Sequence, residues 1–311
     1  MNLTQLRISR RSIALAVALF GMVSLAIGAH AALNKRALDA AKAIATEQSE
    51  DAARKSSRIA LVIGNGHYPD ANAPLTQPIN DARGLTAALR RDGFDVDVVE
   101  DASKDDMHRA IGRLKSKIKP DSVVMLFFGG YGIQVGRESY MIPVDATIWR
   151  ESDVRRGAIS IESVLEMMKE QGARAKLVVL DASRRNPYER RFRAFSHGLA
   201  PINAADNALV LTSATPGKVA DDSAGQYSVL MAELLTNLRD QQADKPAGEA
   251  DNSGGQVDNS AGEATKPAGA ETVFNKTRVA VAKSSEGEQV PSVSSSLVEE
   301  VRLGMSENSG G

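Results

Sequence analysis

The 311-residue sequence contains no cysteine. That excludes a thiol nucleophile, a disulfide framework and any zinc site built on cysteine. Aromatic residues make up only 4% of the chain, and no basic stripe interleaves with them. The stacking and phosphate-tracking surface of a nucleic-acid binder is therefore missing. Neither sign of charge is in excess. The 38 Lys and Arg against 39 Asp and Glu leave a formal net charge of -1. No global field draws this chain to nucleic acid or to an acidic membrane. What the sequence does have is 42% hydrophobic residues, enough for a sizeable core in one or two domains.

Those hydrophobic residues fall into patterns. Leu177-Val178-Val179-Leu180 is apolar without alternation, which reads as a strand buried on both faces, as in a parallel sheet. It ends abruptly in Asp181-Ala182-Ser183-Arg184-Arg185-Asn186-Pro187. Val123 to Phe128 has the same design and ends in Gly129-Gly130-Tyr131-Gly132. A third such strand, from Arg58 to Ile63, ends in Gly64-Asn65-Gly66, and Ala208 to Leu211 is a fourth. Phe94 to Val99 alternates apolar and acidic residues, as an edge strand does, and Ile133 to Val144 reads as a hairpin around Gly136.

Helical spacing separates these strands. Ile79, Ala82, Leu85 and Leu89 follow Pro78 and stop at Gly93. Met107, Ala110, Ile111, Leu114 and Ile118 lie on one face and stop at Pro120. Ile161, Val164, Leu165 and Met168 predict a third helix, and Leu230, Met231, Leu234, Leu235 and Leu238 a further one. Alternating strands and helices predict an α/β fold, with a mainly parallel sheet sandwiched between helices. In such sheets ligands and catalytic groups sit just past the carboxyl ends of the strands, where Asp181 and Ser183 stand.

The flanks have a different character. Arg7, Arg10 and Arg11 precede an apolar run from Ile13 to Ile27 that ends in Ala29-His30-Ala31. This is the pattern of an export signal over residues 1–31 with a small-x-small cleavage site, or of an uncleaved membrane anchor. Either reading places the globular part outside a bacterial inner membrane, in the periplasm or tethered facing it. Residues 32–57 read as a solvated tether. Residues 241–270 hold no large hydrophobic residue except Val257, and nearly repeat Lys-Pro-Ala-Gly and Asp-Asn-Ser blocks. Such a segment buries too little to offset its ordering entropy, so it is expected to be a disordered insertion inside one domain spanning 58–303. Val273, Phe274, Val279 and Val281 are expected to pack as the fold resumes, and 304–311 to be a flexible tail.

Several motifs carry a family resemblance, in order along the chain. They are Arg58-Ile59-Ala60-Leu61-Val62-Ile63-Gly64-Asn65, Asn80-Asp81-Ala82-Arg83, the two strand ends above, Pro143-Val144-Asp145-Ala146 and Gly198-Leu199-Ala200-Pro201. In these the chain resembles the caspase-like peptidases, most nearly the bacterial metacaspase-type members, along nearly all its length after residue 57. The resemblance implies a caspase-like three-layer α/β/α sandwich. It also implies a His–Cys dyad, the His in a Gly-His-Gly strand end and the Cys in Asp-Ala-Cys-Arg-Asn-Asn-Pro. Here those positions hold Tyr131 and Ser183.

A serine hydroxyl needs a positioned general base, and a phenol titrates near ~10 against ~6.5 for histidine. The pair therefore reads as a degenerate dyad. His67, His108 and His197 are the alternatives as a recruited base, with His108 off its helix's apolar face. The resemblance further implies that two aspartates line a pocket for a basic side chain, at positions held by Asp81 and Asp181. Locally, Asp81 could instead cap or pair with Arg83, and Asp181 could accept backbone N–H groups at the strand end.

Gly130 and Gly132 would keep the backbone close to a ligand, the Gly130 amide donating to its carbonyl, or would simply allow a tight turn. The run Arg184 to Arg193 carries five arginines and reads as a solvated loop or a surface for an acidic partner. Some metacaspases require calcium. Asp101, Asp105 and Asp106 lack the spacing of a calcium loop and are expected to serve a helix N-terminus. No cofactor or metal is expected. The favoured function is an inactive caspase-homology protein of the bacterial envelope that binds a peptide or protein with basic residues or regulates a partner. The alternatives are an endopeptidase or Ser183-based hydrolase cleaving after Arg or Lys, and a structural envelope protein with a relic cleft.

Overall fold

A computed structural model describes residues 57–70, 74–188, 198–220, 225–243 and 269–303. The expected export signal, the tether up to residue 56, His197, most of the low-complexity insertion and the tail lie outside the described residues.

The described chain alternates strand and helix. The central sheet holds β1 (Arg58–Gly64), β2 (Asp95–Glu100), β3 (Val123–Gly129), β7 (Ala175–Asp181), β8 (Ala208–Thr212) and β9 (Ser292–Ser295), in the order β2-β1-β3-β7-β8-β9. Every pairing is parallel except β8 with β9. The acidic, alternating β2 is an edge strand, and β1, β3, β7 and β8 are the buried interior. A small antiparallel sheet of β4 (Gly132–Val135), β5 (Glu138–Met141) and β6 (Ile159–Ser160) stands beside it. Its β4–β5 hairpin turns at Gly136, whose φ of 68° is open to glycine at little cost.

Period-two alternation along the buried strands divides the core by face. On one face Ala60, Val62, Met125, Phe127, Leu177, Val179, Leu209 and Leu211 meet α1 (Gln77–Arg91), α5 (Val229–Ala243) and α6 (Ala270–Ser284). On the other, Ile59, Leu61, Ile63, Val124, Leu126, Phe128, Val178 and Leu180 meet α2 (Lys104–Lys117) and α4 (Ile161–Glu170). The fold is therefore the expected α/β/α sandwich. Fully burying one such aliphatic side chain is worth about 1.5–3 kcal/mol, so these two faces carry most of the driving force.

A third cluster lies beyond the sheet. Tyr68, Tyr131, Ile133, Tyr140, Ile142, Ile148, Val154 and Tyr188 pack together under the small sheet. They close over the carboxyl end of the central strands. The short helix α3 (Glu151–Gly157) contributes to this cap through Val154, its one buried residue, which is too little apolar periodicity for the sequence to announce a helix.

Two expectations are corrected by the packing. Val279 is 57% exposed, because on α6 the inward positions are Ala270, Val273, Phe274, Thr277 and Val281. The aspartates near α2 divide their work. Asp106 forms a capping box with Ser103, and Asp105 lies in the first turn. Asp101 lies outside the helix, with φ of 47°, and its Oδ1 accepts the amides of Gly66 and His67 at 2.8 and 2.9 Å.

Candidate functional site

The site forms where β1, β3 and β7 end together. The parallel register sets Gly64 beside Gly129, and Gly129 beside Asp181. The chain order reverses across β1, with β2 on one side and β3 on the other, the arrangement that opens a crevice in doubly wound sheets.

Asn65 and Tyr68 hold this end in place. The fully buried Asn65 amide donates to the Ile142 carbonyl at 3.2 Å, and its oxygen accepts the Ala102 amide at 2.8 Å. The Tyr68 hydroxyl donates to the Ile142 carbonyl and accepts the Tyr131 amide, each at 3.1 Å. Burial pushes the Tyr68 phenol well above its ordinary range, so it stays protonated. Neither residue stood out in the sequence as more than turn chemistry. The one available signal was a polar residue directly after a wholly apolar strand.

Tyr131 is a packing residue in this arrangement. It is buried, its carbonyl accepts the Ile142 amide at 3.0 Å, and its ring meets the edge of Tyr68 with centroids 4.8 Å apart. The glycines beside it face protein. The Gly130 amide, expected as a donor to a ligand carbonyl, donates to the Asp181 carbonyl at 3.2 Å, because the β3–β7 ladder continues one residue past the strand. The Gly132 amide likewise donates to the Ala182 carbonyl at 2.9 Å. A Cβ on Gly132 would lie 2.5 Å from Leu199 Cδ2 and 2.7 Å from the Ala182 oxygen. The glycine admits the neighbouring strand end, not a ligand.

Ser183 is 1% exposed and its backbone is held on both sides. Its amide donates to Ser213 Oγ at 3.3 Å and its carbonyl accepts the Ala220 amide at 2.6 Å. Its own Oγ is buried with no hydrogen-bond partner among the described residues. No described histidine reaches it, and His67 and His108 are both exposed.

Asp81 and Asp181 do come together. Asp81, on the inner face of α1, and Asp181, at the tip of β7, are 0% and 2% exposed. Asp81 Oδ1 accepts the Ser228 amide at 3.0 Å, next to the start of α5, whose Met231 amide is capped by Ser228 Oγ at 3.1 Å. The local partner considered for Asp81 is engaged elsewhere: Arg83 makes a two-pronged pair with Glu100 at 2.7 and 2.6 Å. Burial and the adjacent Asp181 carboxylate push Asp81 up to about 8, so it carries its proton at neutral pH.

The third member of this group was not foreseen. Arg184 was expected in a solvated basic loop, yet it is 4% exposed, and its Nη2 lies 3.5 Å from Asp181 Oδ2. Two buried acids at a strand end need a cation, and the adjacent arginine supplies it. Arg185 is exposed as expected, Tyr188 is buried in the cap, and the rest of the basic run lies outside the described residues. No group of three or more His, Asp or Glu among the described residues is placed to hold a metal ion.

A mostly parallel sandwich with its polar groups on the β3 and β7 ends is the frame of a caspase-type peptidase. Residues 57–302 match the family described as Caspase domain, and the chain belongs to that family. Among curated proteins it is 28% identical over 144 residues to the human mucosa-associated lymphoid tissue lymphoma translocation protein 1. That stretch is 46% of this chain and 17% of the human protein. The mouse homologue is 28% identical over 133 residues, 42% of this chain and 16% of the mouse protein. The chain thus covers less than a fifth of either relative.

Proposed function

We propose that this caspase-family chain is a non-cleaving recognition domain that binds a peptide or protein segment through a basic side chain, arginine above all. The observation that carries the reading is the buried pair Asp81 and Asp181 at the end of β7, two residues before Ser183. A guanidinium offers five donors in a planar fork, and two acidic groups match it as no single carboxylate does. The loss of cutting follows from the chemistry around Ser183. A neutral hydroxyl with no base in reach among the described residues is a poor nucleophile, and Tyr131, packed against Tyr68, puts a phenol where the family's dyad has an imidazole.

The test pairs binding with cleavage on one panel. Peptides bearing an internal Arg, Lys or Ala are titrated into the purified chain by calorimetry, and the same mixtures are followed by mass spectrometry. The expected result is binding that falls about tenfold or more on Arg→Ala in the peptide, a loss of about 1.4 kcal/mol or more, with no product in the presence or absence of calcium. Asp181→Asn should weaken binding similarly. Turnover that vanishes in Ser183→Ala would replace this reading with a serine-based hydrolase. No binding of any basic peptide would leave the cleft a relic.

A further inference from the structure

The connection between α6 and β9 exposes Glu286, Gly287, Glu288 and Val290 to solvent and turns one residue inward. That residue is Gln289, 7% exposed. The connection is built to hold it there. Glu286 and Gly287 take left-handed φ values of 52° and 86°. The Gly287 amide returns to the Ala282 carbonyl at 2.8 Å and the Glu286 amide to the Lys283 carbonyl at 3.2 Å, closing the end of α6. Ser285 Oγ then accepts the Gln289 amide at 3.0 Å and donates to the Gln289 carbonyl at 3.1 Å. One hydroxyl thus fixes the main chain on both sides of the Gln289 Cα.

The Gln289 side chain reaches the end of β8. Its Nε2 donates to the Ser213 carbonyl at 2.9 Å, a buried bond between residues 76 positions apart. The Ser213 amide donates to the Leu180 carbonyl at 2.9 Å, one residue past the Leu180–Thr212 register. The two peptide groups that flank the Ser213 Cα are therefore both anchored, one by β7 and one by Gln289. With that backbone fixed, the Cα–Cβ bond is aimed, and Ser213 Oγ meets the Ser183 amide at 3.3 Å. Burial alone would be served better by an apolar residue at 289. A buried amide is tolerated only where it is paired, and this one is paired to the carbonyl that steers Ser213.

We infer that Gln289 is a positioning residue for the Ser183 turn: acting through Ser213, it sets the direction of the Ser183 amide and with it the fit of the crevice to a bound peptide. The relay runs from Ser285 through Gln289 and Ser213 to Ser183. It joins a surface turn beside the edge strand to the end of β7. The effect on binding rests on the reading of the crevice as a recognition site.

The experiment follows amide hydrogen exchange by NMR in the full chain and in its Gln289→Ala and Gln289→Glu variants. Calorimetry with a short peptide carrying one internal arginine is run alongside. In Gln289→Ala the Ser183 amide should exchange about fivefold faster or more, relative to Val178 and Val179 in β7, and the peptide should bind more weakly. Gln289→Glu supplies a readout that packing would not move. A protonated carboxyl still donates to the Ser213 carbonyl, whereas a carboxylate faces it without a donor. The excess exchange at Ser183 over the parent should therefore shrink as pH falls from about 8 to about 5, where a buried glutamate takes up its proton. Should alanine prevent folding, the pH course of Gln289→Glu decides. Ser183 exchange equal to the parent's in the folded variants would overturn the inference, and an excess in Gln289→Glu that ignores pH would assign it to packing instead. Faster exchange with undiminished peptide affinity would also overturn it, since the turn would then move without consequence for binding. A parent that binds no peptide removes the recognition reading, and the exchange data then decide the relay by themselves.

Discussion

Gly130 and Asp181 are joined by a backbone hydrogen bond of 3.2 Å one residue past the point where Gly129 and Asp181 sit in register. The bond carries the parallel ladder beyond the last regular residues of β3 and β7. It fixes the two strand ends to each other, and with them the relation between Tyr131 and the Asp181-to-Arg184 turn. The Gly132 amide repeats the arrangement on the Ala182 carbonyl. The geometry of the crevice is thus set by backbone, and the side chains fill a frame that is already fixed.

The first prediction follows from that frame. Gly132→Ala places a methyl group 2.7 Å from a backbone oxygen and 2.5 Å from a Leu199 methyl. The leucine can rotate, but the Ala182 carbonyl is tied into the ladder and cannot. The strand ends must separate, and overpacking of this kind typically costs about 1–3 kcal/mol. Thermal and denaturant unfolding should show that loss. A stability unchanged from the parent would mean that the two ends are not locked together.

Tyr68→Phe is the second. The ring packing against Tyr131 is kept, but the hydroxyl that serves both the Tyr131 amide and the Ile142 carbonyl is removed. A buried group left without its partner costs about 1–3 kcal/mol. The Ile142 carbonyl retains the Asn65 amide, so the Tyr131 amide bears most of the loss. The expected outcome is a destabilised fold with faster hydrogen exchange at Tyr131. Undisturbed exchange at that amide would show that the hydroxyl is not its partner.

Much of this architecture was written in period and composition. Unbroken apolar runs gave β1, β3, β7 and β8, and the spacing of Leu85, Leu114 and Met168 with their neighbours gave the helices that cover them. The place of the site was legible too, because a polar turn after a buried strand marks the carboxyl edge of a parallel sheet. What was not legible is contact between residues distant in sequence. Asp81 and Asp181 are 100 positions apart, and only the folded sheet decides that their carboxyls share one buried space. Arg184 was misread for a related reason. A run of arginines looks solvated until one of them meets an acid already buried, and then the strand-end turn draws that one inward. The glycines were misjudged because a small residue next to a strand end serves a neighbouring backbone as well as a ligand.

The third prediction concerns pH. Asp81 has an ordinary value of 3.8 and is raised to about 8 by burial and by Asp181, with the Ser228 bonds and Arg184 opposing. Between those values the folded chain keeps a proton that the unfolded chain releases. Unfolding therefore releases a proton, and stability falls as pH rises, by at most about 1.4 kcal/mol per unit from this one group. The contribution is greatest below 3.8 and is lost as pH climbs toward about 8. Asp81→Asn imitates the protonated acid and keeps an oxygen for the Ser228 amide. Its denaturation midpoint should decline less steeply than the parent's from pH 5 to 8, the two curves diverging as pH rises. Parallel curves would mean that Asp81 is ionised across the range.

The fourth prediction asks whether chemistry can be returned to the crevice. Ser183→Cys alone supplies a nucleophile with a free pKa near ~8.5 and no base among the described residues to deprotonate it. No histidine among the described residues lies within hydrogen-bond reach of Ser183 Oγ, and Tyr131 is held in the aromatic cap. That variant should leave arginine peptides uncut. The double change Tyr131→His with Ser183→Cys puts an imidazole at the end of β3 and a thiol past β7, on strand ends joined by the Gly130 and Gly132 amides. If the frame is intact, the double variant should release product after arginine. No product from the double variant would mean that the strand ends no longer hold a competent dyad. A single Ser183→Cys variant that cuts would show instead that a base outside the described strand ends reaches the turn.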